Sequence, residues 1–99
     1  MEDFTPIKSY ETYGINKIGQ VKCLRTGNIL PQFDTGGYKR LNLRNPDGYK
    51  CFLVHRLVAL TFIENPNNFD EVDHIDRDRG NNHIENLRWA DDIIQGSFK

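Results

Sequence analysis

Apolar and polar residues alternate with a period of two through the first half of the chain, and the period lengthens after residue 54. Residues 13–15 and 20–24 are short alternating stretches flanking a turn at Asn16 to Gly19, and Thr26-Gly27-Asn28 marks the next turn, which leads into a strand over residues 29–33. After Gly36-Gly37, the run Tyr38-Lys39-Arg40-Leu41-Asn42-Leu43-Arg44 puts Leu41 and Leu43 on one face and Arg40, Asn42 and Arg44 on the other. Asn45-Pro46-Asp47-Gly48 then turns the chain back into residues 49–54, predicting a hairpin. The expectation is a twisted antiparallel sheet with one basic face.

Leu57, Val58 and Phe62 recur at helical spacing and Glu64-Asn65-Pro66 stops the run, so residues 55–62 are predicted helical. Residues 72–75 read as a strand and 76–82 as a polar loop with one glycine. Ile84, Leu87, Trp89, Ile93 and Ile94 then predict a last helix, from near Glu85 to near Gly96. No repeat, low-complexity tract or Pro-rich linker divides the chain.

At 99 residues, with 37% hydrophobic residues and a mean hydropathy of −0.65, the composition is that of one small soluble domain. A net charge of −1 argues against a nucleic-acid partner until the charges are placed along the chain. Residues 8–63 carry nine bases against three acids, and residues 64–99 carry nine acids against four bases. A basic front can attract phosphate, and an acidic back can hold a divalent cation. Cys23 and Cys51 lie 28 residues apart with no CxxC, which leaves neither a paired-thiolate zinc site nor a redox motif. The start lacks a basic, apolar leader and no run is long enough to span a membrane, so an intracellular, reducing location is expected.

The chemistry concentrates in Val72-Asp73-His74-Ile75-Asp76-Arg77-Asp78-Arg79-Gly80-Asn81-Asn82-His83-Ile84-Glu85-Asn86-Leu87-Arg88-Trp89. On a strand, Asp73 and His74 point to opposite faces and serve one site only if the strand ends or bends there. Asn86, brought back by the loop, would give a second oxygen donor beside an imidazole. Such donors suit Mg²⁺ or Mn²⁺ better than Zn²⁺, and a neutral histidine can take a proton from water. A calcium loop begun at Asp76 fails, because Gly80 falls one position early and Leu87 stands where a glutamate is needed.

Asp73-His74-Ile75-Asp76, then Asn81-Asn82, then Glu85-Asn86-Leu87-Arg88-Trp89, resembles the core of HNH endonucleases of the phage and intron homing type, in their His-Asn-Asn variant. Val54-His55-Arg56-Leu57-Val58-Ala59 resembles the helix leading into that core. Tyr13-Gly14-Ile15 and Gly19-Gln20-Val21-Lys22 resemble the small N-terminal module often joined to it. The resemblance implies an α+β chain: an N-terminal antiparallel β-sheet (1–50, DNA-contacting), then a helix and a ββα-metal core (51–99), the two forming one compact unit. It implies hydrolysis of phosphodiester bonds in double-stranded DNA, most simply by nicking, with one divalent ion, Mg²⁺ or Mn²⁺. His74 would be the general base, Asn82 its orienting partner, and Asp73 and Asn86 the metal ligands. Lys22, Arg25, Lys39, Arg40, Arg44, Arg77, Arg79 and Arg88 would contact DNA, and His55 a phosphate. A homodimer or helper protein would supply any second DNA-contacting unit. A regulatory or nucleic-acid-binding module that keeps the fold without turnover is the alternative.

Overall fold

The computed structural model describes residues 3–90. Among the described residues, eight strands and one α-helix form three small antiparallel sheets around one core. Strands β1 (Thr5–Ile7), β2 (Tyr10–Ile15) and β3 (Val21–Cys23) make the first sheet; β4 (Phe33–Thr35), β5 (Tyr38–Asn45) and β6 (Gly48–Leu53) make the second. Helix α1 (Val54–Phe62) follows β6 directly. The third sheet is the hairpin of β7 (Glu71–His74) and β8 (Leu87–Ala90).

The single sheet expected for the first half is therefore two. Between Leu24 and Phe33 only one bridge forms, Lys22 with Ile29, and Pro31 has no N–H to offer a ladder. The β5–β6 hairpin has the expected faces, with Leu41 and Leu43 fully buried and Asn42 and Arg44 exposed. The boundary at residue 50 falls inside β6, and the core runs across it: Ile15, Val21, Leu41 and Leu43 pack in one cluster with Val54, Leu57, Val58, Val72 and Leu87.

Helix α1 starts at Leu53 with no side-chain cap and no acidic residue in its first turn, so its stability comes from burying Val54, Leu57, Val58 and Ala59. Beyond it, the Asn65 carboxamide closes a turn by accepting from the Phe69 N–H and donating to the Phe69 carbonyl. The Trp89 indole N–H donates to the Ile63 carbonyl at 3.0 Å, tying β8 to the helix end.

The last helix expected from near Glu85 does not begin there. Ile84–Asn86 is a single 3₁₀ turn, and Leu87–Ala90 is strand, in register with Glu71–His74. The cross-strand ladder overrides the helical spacing of Ile84, Leu87 and Trp89. The remainder of that expected helix, with Ile93 and Ile94, lies outside the described residues.

Candidate active site

His74 is the last residue of β7 and is buried. Its Nε2 lies 2.9 Å from Asn82 Oδ1. A carboxamide oxygen accepts only, so in this pairing Nε2 is the donor. Asn82 is held from behind by the first sheet. Gly19, at φ +92°, passes so close that a Cβ there would sit 3.0 Å from the Asn82 Cβ, and the Ile84 N–H donates to the Lys17 carbonyl of the same turn.

The loop between His74 and Asn86 is closed by its own side chains. The Asn86 Oδ1 accepts from the Asp76 N–H at 3.0 Å, and its amide donates to Asp76 Oδ1 and to the Asn81 carbonyl, both at 2.9 Å. The Asp76 carboxylate also accepts from the Asn81 amide and the Asp78 N–H. These bonds, from Asn81, Asp78 and Asn86 in that order, hold the Asp76 carboxyl below its ordinary range. Arg77 takes a left-handed conformation at φ +67°, which lets its N–H return to the His74 carbonyl.

Asn86, expected as a metal ligand, also braces the loop. Its carboxamide is buried, and its oxygen and both amide protons are engaged in bracing the loop. Asp73 stands differently. It lies on the face of β7 opposite His74, half-buried, with Oδ2 accepting from Arg88 Nε at 3.0 Å and paired with Nη2 at 2.9 Å. Its other oxygen and its charge suit a hard cation. Among the described residues no cluster of three or more His, Cys, Asp or Glu forms.

Around His74 the structure assembles residues from distant parts of the chain. His55, the second residue of α1, is 95% buried, with its ring centroid 4.8 Å from that of His74. Burial, then the charges of His74, Arg56 and Arg40, push its pKa down to about 4, so it is neutral at pH 7. Its Nδ1 and the Nε of Arg40 are buried without a hydrogen-bond partner. Tyr38, at the start of β5, stacks on His55 at 5.4 Å and 29°.

The expected DNA-contacting bases do not share one face. Arg40 and Arg44 share the face of β5 opposite Leu41 and Leu43, but Arg40 is half-buried with its Nε shielded from solvent, whereas Arg44 is exposed and lies 5.8 Å over the Tyr49 ring. Lys39 points the other way and pairs with Asp34 at 3.5 Å. Lys22 and Arg25 belong to the first sheet and its turn, with the Lys22 ammonium 4.2 Å over the Phe4 ring. Arg77, Arg79 and Arg88 surround the braced loop; Arg79 donates to the Gly36 carbonyl and Arg88 is paired with Asp73. Tyr38 and Gly19 carry no sequence signal of a role here, because both reach the site only through the packing of the sheets.

An imidazole at a strand end, beside a loop closed by Asp and Asn, on a hairpin packed against one helix, is the arrangement that the HNH resemblance implies. Similarity to known proteins agrees with that class, and the chain belongs to the HNH endonuclease family. It is 41% identical over 86 residues to an uncharacterized HNH endonuclease, L245, of Acanthamoeba polyphaga mimivirus, covering 86% of this chain and 26% of that protein. It is 38% identical over 90 residues to DNA endonuclease I-HmuI of Bacillus phage SP01, covering 89% and 52%. It is 35% identical over 88 residues to the H-N-H endonuclease F-TflI of Escherichia phage T5, covering 86% and 45%. A solved structure of DNA binding and cleavage by the HNH homing endonuclease I-HmuI superimposes with a TM-score of 0.89 at 35% identity, over 97% of this chain and 56% of that one. No family model matches the sequence. The chain spans about half or less of the length of these relatives. Endonucleases of this family generally use a divalent metal ion. No helix among the described residues is long and apolar enough to cross a membrane.

Proposed function

We propose that the chain binds double-stranded DNA and hydrolyses one phosphodiester bond at a time, with His74 as the general base. The observation that carries this reading is the 2.9 Å bond between His74 Nε2 and Asn82 Oδ1. With the proton held on Nε2, Nδ1 accepts a proton from water as the water oxygen attacks phosphorus and the bond to the 3′ oxygen breaks. A divalent ion, Mg²⁺ or Mn²⁺, held with the Asp73 carboxylate would offset charge on the phosphate when bound. Asn86 shapes the loop that carries Asn82. Arg40 and Arg44 hold the DNA backbone on their shared face of β5 and Arg77 and Arg79 hold it beside the loop, fixing position without reading sequence. His55, 95% buried with its Nδ1 shielded from solvent, is assigned to the packing behind His74 and not to a phosphate. A second copy or a helper protein would add further contacts.

The test is nicking of supercoiled plasmid by the full chain. Nicked product with Mg²⁺ or Mn²⁺, and none after EDTA, is expected. DNA bound but uncut across several divalent ions would establish the alternative, a binding module without turnover.

A further inference from the structure

The hydrogen bond to Asn82 fixes one atom of the His74 ring and leaves its plane free to swing about that bond. Something else must fix the plane. The ring nearest it among the aromatic contacts is His55, whose centroid is 4.8 Å away with the planes at 55°, and His55 is itself backed by Tyr38, stacked at 5.4 Å and 29°. Tyr38 also lies 6.1 Å from His74, so the three aromatic rings form one cluster. On the Tyr38 ring, the Arg79 guanidinium sits 4.9 Å from the centroid, and Arg79 reaches it from the loop between His74 and Asn82. The same Arg79 donates to the Gly36 carbonyl at 3.0 Å and packs beside Gly37, the turn residues just before Tyr38. The column is therefore anchored in the second sheet at one end and in the catalytic hairpin at the other.

Tyr38 is spatially in the site yet 36 residues before His74 in sequence, and it comes from the sheet whose expected role was only to hold DNA.

We propose that Tyr38 is a positioning residue for cleavage: with His55 it forms an aromatic clamp that fixes the plane of the His74 imidazole, while Asn82 fixes its tautomer. The proposal rests on His74 being the base. It makes the N-terminal part of the chain a component of the catalytic site, acting through ring packing and not through the phenol oxygen.

Single-turnover cleavage and DNA affinity, measured on the full chain for Tyr38→Leu, Tyr38→Phe, His55→Phe and His74→Ala, test it, with thermal unfolding as the control for folding. Tyr38→Leu should lower the cleavage rate at saturating DNA on the order of ten- to a hundredfold, as a misplaced base does, and leave affinity within about twofold. Tyr38→Phe should restore the rate, because the ring remains. His55→Phe should keep affinity; a loss of affinity there would mean that His55 holds phosphate and does not act as a clamp. A Tyr38→Leu protein that cuts at the wild-type rate overturns the clamp, and so does one that loses only affinity. Should Tyr38→Leu fail to fold, Tyr38→Phe decides: a rate as low as that of His74→Ala would show that the hydroxyl matters and would overturn a clamp made by the ring. His74→Ala that still cleaves overturns the base assignment instead, whatever Tyr38 does.

Discussion

The Nε2 of His74 and the Oδ1 of Asn82 lie 2.9 Å apart, and in this pair Nε2 is the donor. Asn82→Ala removes the acceptor and frees the tautomer, so cleavage should fall on the order of ten- to a hundredfold while DNA affinity holds. Gly19→Ala should act on the same pair from a distance. Its Cβ would meet Asn82 at 3.0 Å and its φ of +92° disfavours any side chain, so both stability and rate should drop. Quench-flow cleavage beside chemical unfolding separates the two effects.

Asn86 closes the loop with three side-chain hydrogen bonds, and its replacement should be structural in effect. Asn86→Ala is expected to cost roughly 2–4 kcal/mol of stability, with or without EDTA. Asn86→Asp should also destabilise, because it removes both donors and sets a second carboxylate against Asp76. A variant stable in EDTA and defective only in binding metal would show that Asn86 is a ligand and not a brace.

Neutral, buried His55 makes stability fall with acid. Its pKa is about 4 in the folded chain against about 6.5 unfolded. Below pH 6.5 the unfolded chain takes up a proton that the folded chain refuses, so stability declines down to about pH 4 and then levels, a loss of roughly 3 kcal/mol. The depressed Asp76 carboxyl adds a loss of the same sign at the acid end. Urea unfolding of wild type and His55→Phe across pH 4 to 7 isolates the imidazole part: the variant should show a shallower slope. Parallel curves would contradict the assignment.

Arg40 and Arg44, on their shared face of β5, should hold phosphates that the neighbouring lysine does not. Replacing both with Gln should weaken DNA binding and flatten its dependence on salt, by about one log unit per log unit of salt for each phosphate no longer neutralised. Lys39→Gln should change little, since Lys39 faces the other way and is paired with Asp34. Fluorescence anisotropy over a salt series measures all three.

Local patterns carried the β5–β6 hairpin, the helix after it and the strand ending at His74, because alternation and helical spacing report which face meets the core. The motif residues were legible as types at fixed spacing, and Asn82 beside His74 is among them. What the spacing could not assign was occupation: Asn81, Asn82 and Asn86 are chemically alike, and only the closed loop shows that Asn86 bonds Asp76 and Asn81. Leu87–Ala90 looked helical because Ile84, Leu87 and Trp89 fit that period, and the ladder with β7 decided otherwise. Tyr38 and Gly19 reach His74 and Asn82 across sheets, a juxtaposition that no local pattern encodes.

The most direct test of the account is single-turnover cleavage of supercoiled plasmid by wild type and His74→Ala, with Mg²⁺ or Mn²⁺, beside DNA affinity for each. Loss of a general base should slow cleavage by roughly 10²–10⁴-fold and leave affinity nearly unchanged. A His74→Ala protein that binds DNA and nicks it at the wild-type rate would contradict the assignment of His74 as the base.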